Sequence, residues 1–297
     1  MFDVEKGNIS VEKGNIPAIF IKMCPNCGGD ITSDRLSRWL PCISCLPEVP
    51  ENITFEEIKN ELERLGRLKN LAKIYEVEKR ADEFSKFFEK IVGFPPWSLQ
   101  VGWAKRVLTG QSFVALAPTG VGKTTFGIVT ALFLEGKSYI IIPTKLLSKL
   151  VAKRIIEAAE KLGINKKILI VHGAKNNKEK EALQNSDFDI LITTSMFLAR
   201  NEKLILDKRF DFIFIDDVDT YLKQPKNVER ILKVMGLNDD DVNELKTLMN
   251  RKFSIARGKE SIEEKIKGFN EISEKVSEIR KKIKGVLVIS SATAKPR

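Results

Sequence analysis

Six short apolar runs punctuate the last two thirds of the chain: Phe113–Ala117, Tyr139–Ile142, Ile168–Val171, Ile190–Ile192, Phe212–Ile215 and Val286–Ile289. Each is too short for a helix, and helically patterned stretches separate them. Runs of this kind predict an α/β fold, a parallel sheet with helices covering both faces. In such sheets ligand loops gather at the carboxyl ends of the strands. The segments found there are Pro143-Thr144-Lys145, Thr193-Thr194-Ser195, Asp216-Asp217-Val218-Asp219 and Ser290-Ser291-Ala292-Thr293. Upstream, Thr54-Phe-Glu-Glu57 reads as a capping box, and Ile58, Leu62, Leu65, Leu68 and Leu71 follow helical spacing. A second helix is expected through Phe84, Phe87, Phe88 and Ile91. From Lys223 to Lys284 the pattern is helical but highly charged. It fits a solvated helical surface or, through Arg251–Lys259, contact with DNA, and sequence does not decide between them.

The first apolar run leads into a glycine-bearing turn and then a helix expected over Thr124–Leu134. Ala117-Pro-Thr-Gly-Val-Gly-Lys-Thr124 is therefore a phosphate-binding loop, with Ala117 where the usual pattern has glycine. Gly120 and Gly122 let backbone N–H groups close on a phosphate, and the helix N-terminus adds partial positive charge. Lys123 can reach the β- and γ-phosphates, and the Thr124 hydroxyl can ligate Mg²⁺. The apolar strand that ends in Asp216-Asp217 supplies the matching acidic motif. One carboxylate holds Mg²⁺, and its neighbour orients or deprotonates the attacking water. Gln100, twenty-three residues before Lys123, carries a carboxamide suited to an adenine edge. His172 has no obvious partner in the sequence and reads as a loop or structural residue.

Only four cysteines occur, as Cys24-Pro-Asn-Cys27 and Cys42-Ile-Ser-Cys45 with fourteen residues between the pairs. Two such knuckles complete a closed tetrahedral S₄ site for Zn²⁺. Disulfides and unrelated thiols are the alternatives, against which stand a reducing compartment and the paired spacing. Arg35, Arg38 and Trp39 lie between the knuckles. They suit either contact with a nucleic acid or a solvated face with one core Trp. The repeat Val4–Ile9/Val11–Ile16 suggests a hairpin or arm.

The 297 residues are 43% hydrophobic and 30% charged, which excludes a disordered chain. The net charge of +10 suits a polyanionic partner such as DNA. Charged residues near the start and the lack of a long apolar run lead to a cytoplasmic expectation. Abundant Lys, Glu and Ile with four Gln suggest a hyperthermophile.

Gln100, the loop Ala117–Thr124, Pro143–Lys145, Asp216-Asp217 and Ser290–Thr293 together resemble the first, RecA-like motor domain of a superfamily-two helicase. With the four-cysteine finger and Phe94-Pro-Pro-Trp-Ser-Leu-Gln100, the likeness extends to the reverse gyrase family over essentially the whole chain. That resemblance implies ATP-driven positive supercoiling of DNA by a helicase-like module and a type IA topoisomerase module. It places Gln100 on adenine, and Ala117, Pro118, Thr119, Gly120, Val121, Gly122, Lys123 and Thr124 on the phosphates. Thr124 and Asp216 serve Mg²⁺, and Lys123, Asp216 and Asp217 are catalytic, Asp217 standing where most relatives have Glu. Thr144, Lys145, Thr194, Ser291 and Thr293 contact DNA or couple it to nucleotide state. The expected organisation is a zinc finger over 1–50, a helical linker over 51–94 and the motor domain over 95–297, interrupted by an insertion at about 223–284. The second motor domain and the topoisomerase half, with its nucleophilic tyrosine, lie outside the sequence. None of Tyr75, Tyr139 or Tyr221 has a topoisomerase context. A C-terminal chain or region is accordingly the expected partner, whether the chain is part of a split enzyme or a fragment.

Overall fold

The computed structural model describes residues 17–171, 177–221, 225–259 and 261–292. The Val4–Ile16 repeat, His172 and Thr293 lie outside the described residues. The chain divides into two compact units, one up to Arg80 and one from Ala81 onward.

In the first unit, β1 (Ile19–Phe20) pairs antiparallel with β2 (Ile31–Thr32), followed by α1 (Ser33–Ser37), α2 (Phe55–Arg64) and the start of α3 (Leu71–Val92). The capping box at the head of α2 is present. The Thr54 hydroxyl accepts from the Glu57 N–H, and the Glu57 carboxylate accepts from the Thr54 N–H. The helical spacing read from Ile58 to Leu71 is interrupted, however. α2 stops at Arg64 because Gly66 adopts φ +64°, which sends its N–H to the Glu63 carbonyl and the Arg67 N–H to Leu62. Leu65 and Leu68 thus belong to a turn, yet still pack on a core that includes Leu40, Leu46, Ile58, Leu62 and Leu71.

The second unit continues with α4 (Ser98–Leu108), β3 (Phe113–Leu116), α5 (Lys123–Phe133), β4 (Ser138–Ile142), α6 (Lys145–Leu162), β5 (Ile168–Val171) and α7 (Asn177–Gln184). Next come β6 (Ile190–Thr194), α8 (Ser195–Arg200), β7 (Phe212–Ile215) and α9 (Val218–Tyr221). α10 (Pro225–Val234), α11 (Asp239–Arg257), α12 (Ile262–Lys282) and β8 (Val286–Ser291) complete it. Each of the six apolar runs is a strand. They form one parallel sheet in the order β3-β8-β7-β4-β6-β5. The two-residue strand period separates its faces. Ile140, Ile142, Phe212 and Phe214 join a core with Phe84, Trp103 and Phe126, whereas Tyr139, Ile141, Ile213 and Ile215 join one with Phe197 and Tyr221. Sheet order places β8 between β3 and β7, with Ala115 opposite Ser290 and Ile215 opposite Ile289. The carboxyl ends of these three strands therefore converge.

Helices α10–α12 occupy the charged stretch and carry a small core of their own, Leu237, Val242, Leu248, Ile272 and Ile279. The stretch is thus a packed helical group with a solvated exterior. Gly268 allows its inner helices to touch, since a Cβ there would sit 2.7 Å from Ile255 Cδ1. Arg251 is held in an ion pair with Glu271 at 2.6 Å.

Candidate functional site

At the end of β3 the Ala117 N–H donates to the Ser291 carbonyl at 3.1 Å, which ties the start of the loop to β8. Gly120 and Gly122 take φ +85° and +82°, a region costly for residues with a Cβ. Gly122 caps α5, and a Cβ on it would lie 2.8 Å from Gln100 Nε2. Gln100, 3% exposed, is the reason that the approach is so close. Its Nε2 donates to the Val121 carbonyl at 3.1 Å, and its Oε1 accepts from the Trp97 N–H at 3.0 Å. The carboxamide thus braces the loop against the head of α4. Because an amide has two hydrogens and two lone pairs, each end retains capacity for one more partner.

Lys123 Nζ donates to the carbonyls of Ala117 and Pro118 at 2.7 and 2.8 Å, so the ammonium lies inside the curve of the loop. Thr124, one position on, donates its hydroxyl to Asp216 Oδ2 at 2.8 Å. Asp216 directly follows β7 and is anchored by its N–H on the Ile141 carbonyl. Its other oxygen, Oδ1, accepts from the Ser290 hydroxyl at 2.7 Å. A threonine hydroxyl beside a half-buried carboxylate is a hard-oxygen donor set, the chemistry that suits Mg²⁺. Asp217 is exposed and takes φ +58°, so the chain turns sharply after the acid that faces the loop.

The remaining residues singled out from sequence are placed as follows. Thr144 and Thr194 cap α6 and α8, their hydroxyls accepting from Leu147 and Phe197 N–H groups. Thr194 ends β6 and Thr144 lies two residues beyond the neighbouring β4, whose last residue, Ile142, is opposite Thr194. Lys145 is exposed, and Ser291 is buried beside Ala117. Ser290 belongs to the Ser290–Thr293 segment singled out from sequence, which gave it no role of its own. Its place in the Ser-Ser-Ala-Thr run was visible, but its partners depend on strand order.

In the first unit, one sulfur from each of Cys24, Cys27, Cys42 and Cys45 lies within 4.8 Å of all the others. Cys27 and Cys42 Sγ are 3.6 Å apart, near the roughly 3.8 Å that a tetrahedral zinc site with ~2.3 Å bonds requires. All four are free thiols, with Cys24, Cys42 and Cys45 buried. Burial raises the Cys24 thiol, but backbone donors at Cys27, Cys42 and Asn26 outweigh it and bring it down to about 7. Burial, followed by the neighbouring Cys27 and Cys42 thiols, pushes Cys45 up to about 12. The first thiolate therefore opposes formation of the next, a conflict that a divalent cation removes. Amide donors also reach the sulfurs, Gly29 to Cys27 at 3.3 Å and Cys42 to Cys24 at 3.2 Å.

Asn26, fully buried between the first two cysteines, anchors the knuckle. Its Nδ2 donates to the Arg67 carbonyl at 2.9 Å, and its Oδ1 accepts from the Lys69 N–H at 2.8 Å. Arg35 donates to the carbonyls of Pro41, Leu46 and Pro47, and Arg38 to those of Pro50 and Glu51. Both guanidinium groups thus bind local backbone carbonyls. Trp39 is 66% exposed at φ +57°, which removes the core alternative of the two readings open for it.

A family model described as "DEAD/DEAH box helicase" matches residues 97–253, and one described as "Reverse gyrase zinc finger" matches residues 15–64. The chain is 45% identical over 289 residues to "Reverse gyrase 1" of Aquifex aeolicus, covering 95% of this chain and 24% of the relative. It is 41% identical over 289 residues to "Reverse gyrase" of Methanocaldococcus jannaschii, covering 94% of this chain and 17% of that relative. The chain thus spans a quarter or less of these curated relatives. Among solved structures, the DUF1998 helicase MrfA matches 72% of this chain and 29% of its own, at 16% identity and TM-score 0.44.

Proposed function

The chain belongs to the DEAD/DEAH box helicase family and corresponds to the N-terminal, helicase-like region of reverse gyrases, and from that premise we propose that it binds ATP and DNA as the motor portion of an ATP-dependent, positively supercoiling enzyme. The observation that carries this reading is the convergence of Lys123, Thr124 and Asp216 at the head of α5, with Thr124 Oγ1 and Asp216 Oδ2 only 2.8 Å apart.

The N–H groups of the loop from Ala117 through Pro118, Thr119, Gly120, Val121 and Gly122 to Thr124 surround the phosphates, apart from Pro118, which has none. Lys123 leaves the Ala117 and Pro118 carbonyls and turns its ammonium to the β- and γ-phosphates. Thr124 and Asp216 hold Mg²⁺, which when bound neutralises charge on the transferred phosphoryl group. Asp217 orients the attacking water and accepts its proton. Gln100 spends its remaining hydrogen and lone pair on the adenine edge while keeping its bonds to Val121 and Trp97. Thr144, Lys145 and Thr194, at the ends of β4 and β6, lie on the DNA side, and Ser291 with Thr293 couples DNA to nucleotide state. Zn²⁺ is held by Cys24, Cys27, Cys42 and Cys45 and is structural, because four thiolates leave no open position. The expected division into a finger over 1–50, a linker over 51–94 and a motor domain over 95–297 is retained as a functional map. A C-terminal region carrying the second motor domain and the topoisomerase supplies strand passage and the arginines that face the transferred phosphate. A second reading, a nucleotide- and DNA-binding module with negligible turnover alone, differs only in rate. Among the described residues no helix is long and apolar enough to cross a membrane.

The test is binding of a fluorescent ATP analogue to the wild-type chain and to Lys123→Ala. Among the described residues Lys123 Nζ bonds only to two loop carbonyls, so the variant should melt normally. Loss of its charged contact should weaken binding about ten- to a hundredfold. Equal affinities would reject the phosphate-loop assignment.

A further inference from the structure

The Ser290 hydroxyl has one hydrogen and two lone pairs, and the structure uses both functions on the acidic motif. It donates to Asp216 Oδ1 at 2.7 Å and accepts from the Asp217 N–H at 3.2 Å. The residue is fully buried on β8, opposite Ala115 of the strand that feeds the phosphate loop. One side chain thus fixes the carboxylate of Asp216 and the backbone of Asp217 at once. The second contact falls where the chain is least able to hold itself, at φ +58° on a residue with a Cβ.

We propose that Ser290 is a positioning residue for the divalent-cation site formed by Thr124 and Asp216, acting through Asp216 without touching the ion or the nucleotide. This inference rests on the nucleotide-site reading given above. Thr124 and Ser290 hold opposite oxygens of one carboxylate, so the plane of that carboxylate is set from two sides. Coordination of a cation would use a lone pair of the Thr124 oxygen and leave its hydrogen to Oδ2, so the position of the other oxygen, Oδ1, rests on Ser290. Oδ1 remains anchored on β8, and Oδ2 remains aimed at the head of α5. Without that anchor the carboxylate rotates, and the cation must order it. Partners of this kind behind a metal ligand typically change metal affinity by about ten- to a hundredfold.

The experiment titrates Mg²⁺ into each protein with a fluorescent ATP analogue present and reads the concentration at half-maximal enhancement of binding. Affinity in chelator and melting temperature without metal are measured alongside. Ser290→Ala should raise the required Mg²⁺ about ten- to a hundredfold while leaving affinity in chelator unchanged. Ser290→Thr, which retains the hydroxyl, should behave as wild type. Ser138→Ala, which removes a buried hydroxyl on β4 that has no partner among the described residues, is the control and should also match wild type. A Mg²⁺ requirement in Ser290→Ala equal to that of wild type overturns the proposal. Equal shifts in the Ala and Thr variants with lowered melting temperatures also overturn it, in favour of packing. A wild-type chain that binds the analogue without any response to Mg²⁺ removes the cation site itself, and so rejects the underlying reading separately.

Discussion

Removal of the metal from the cysteine cluster should unfold the first unit selectively. Among the described residues nine buried ones form its core, and three of them are Cys24, Cys42 and Cys45. The metal's ligands are therefore a third of the core, in a unit that is small for independent stability. Structural zinc sites contribute about 10–16 kcal/mol of apparent binding free energy to folding. If even about 4 kcal/mol of this sets the local opening equilibrium, stripping the metal lowers amide protection about a thousandfold. The amides that report it are Gly28, bonded to the Cys24 carbonyl, Cys42, bonded to Cys24 Sγ, and Leu46, bonded to the Cys42 carbonyl. Strands β4 and β6, whose residues sit in the separate cores of the second unit, should keep their protection. Hydrogen exchange read by mass spectrometry, before and after chelation and with zinc content measured on the same samples, makes the comparison. Unchanged protection of the knuckle amides in verified metal-free protein would refute the reasoning.

Two further outcomes follow from the same geometry. Asn26→Ala leaves the Arg67 carbonyl and the Lys69 N–H without their side-chain partners, and should destabilise the finger by about 2–4 kcal/mol; chelation at lower chelator concentration than wild type checks it, and an unchanged threshold contradicts it. DNA affinity should fall steeply and log-linearly with salt and depend little on base sequence, because a chain of net charge +10 recognises phosphates first; flat affinity between low and moderate salt would contradict this.

The parallel sheet was legible because buried strands need continuous apolar runs, and each of the six is short and bounded by polar residues. The phosphate loop and the paired cysteines were legible because their chemistry fixes local spacing. What sequence hid was decided by single positions or by long-range register. Gly66 ended α2 within an apolar pattern that ran on through Leu68 to Leu71, because one left-handed residue outweighs the spacing around it. For Arg35 and Arg38 the spacing left contact with a polyanion and a solvated face both open, and it gave no sign that the folded knuckle presents backbone carbonyls to them. In the insertion, abundant charge concealed a core built from widely spaced residues such as Leu237 and Ile279. Ser290 gained its partners only when β8 slotted between β3 and β7, an order that no local signal specifies.

The central claim is that this chain carries an ATP site whose turnover depends on a C-terminal region. It is tested most directly by ATP hydrolysis with residues 1–297 as a verified monomer, with and without DNA, then with the C-terminal region of a reverse gyrase added as a separate polypeptide. On the proposed function, Lys123 and a cation held by Thr124 and Asp216 would supply part of the positive charge that the transferred phosphoryl group needs. An arginine from a second domain is typically worth about a thousandfold or more in rate. The chain alone should bind ATP, hydrolyse it very slowly and respond little to DNA, and addition of the C-terminal region should restore both rate and DNA dependence. Brisk, DNA-stimulated hydrolysis by the monomer alone would contradict the account.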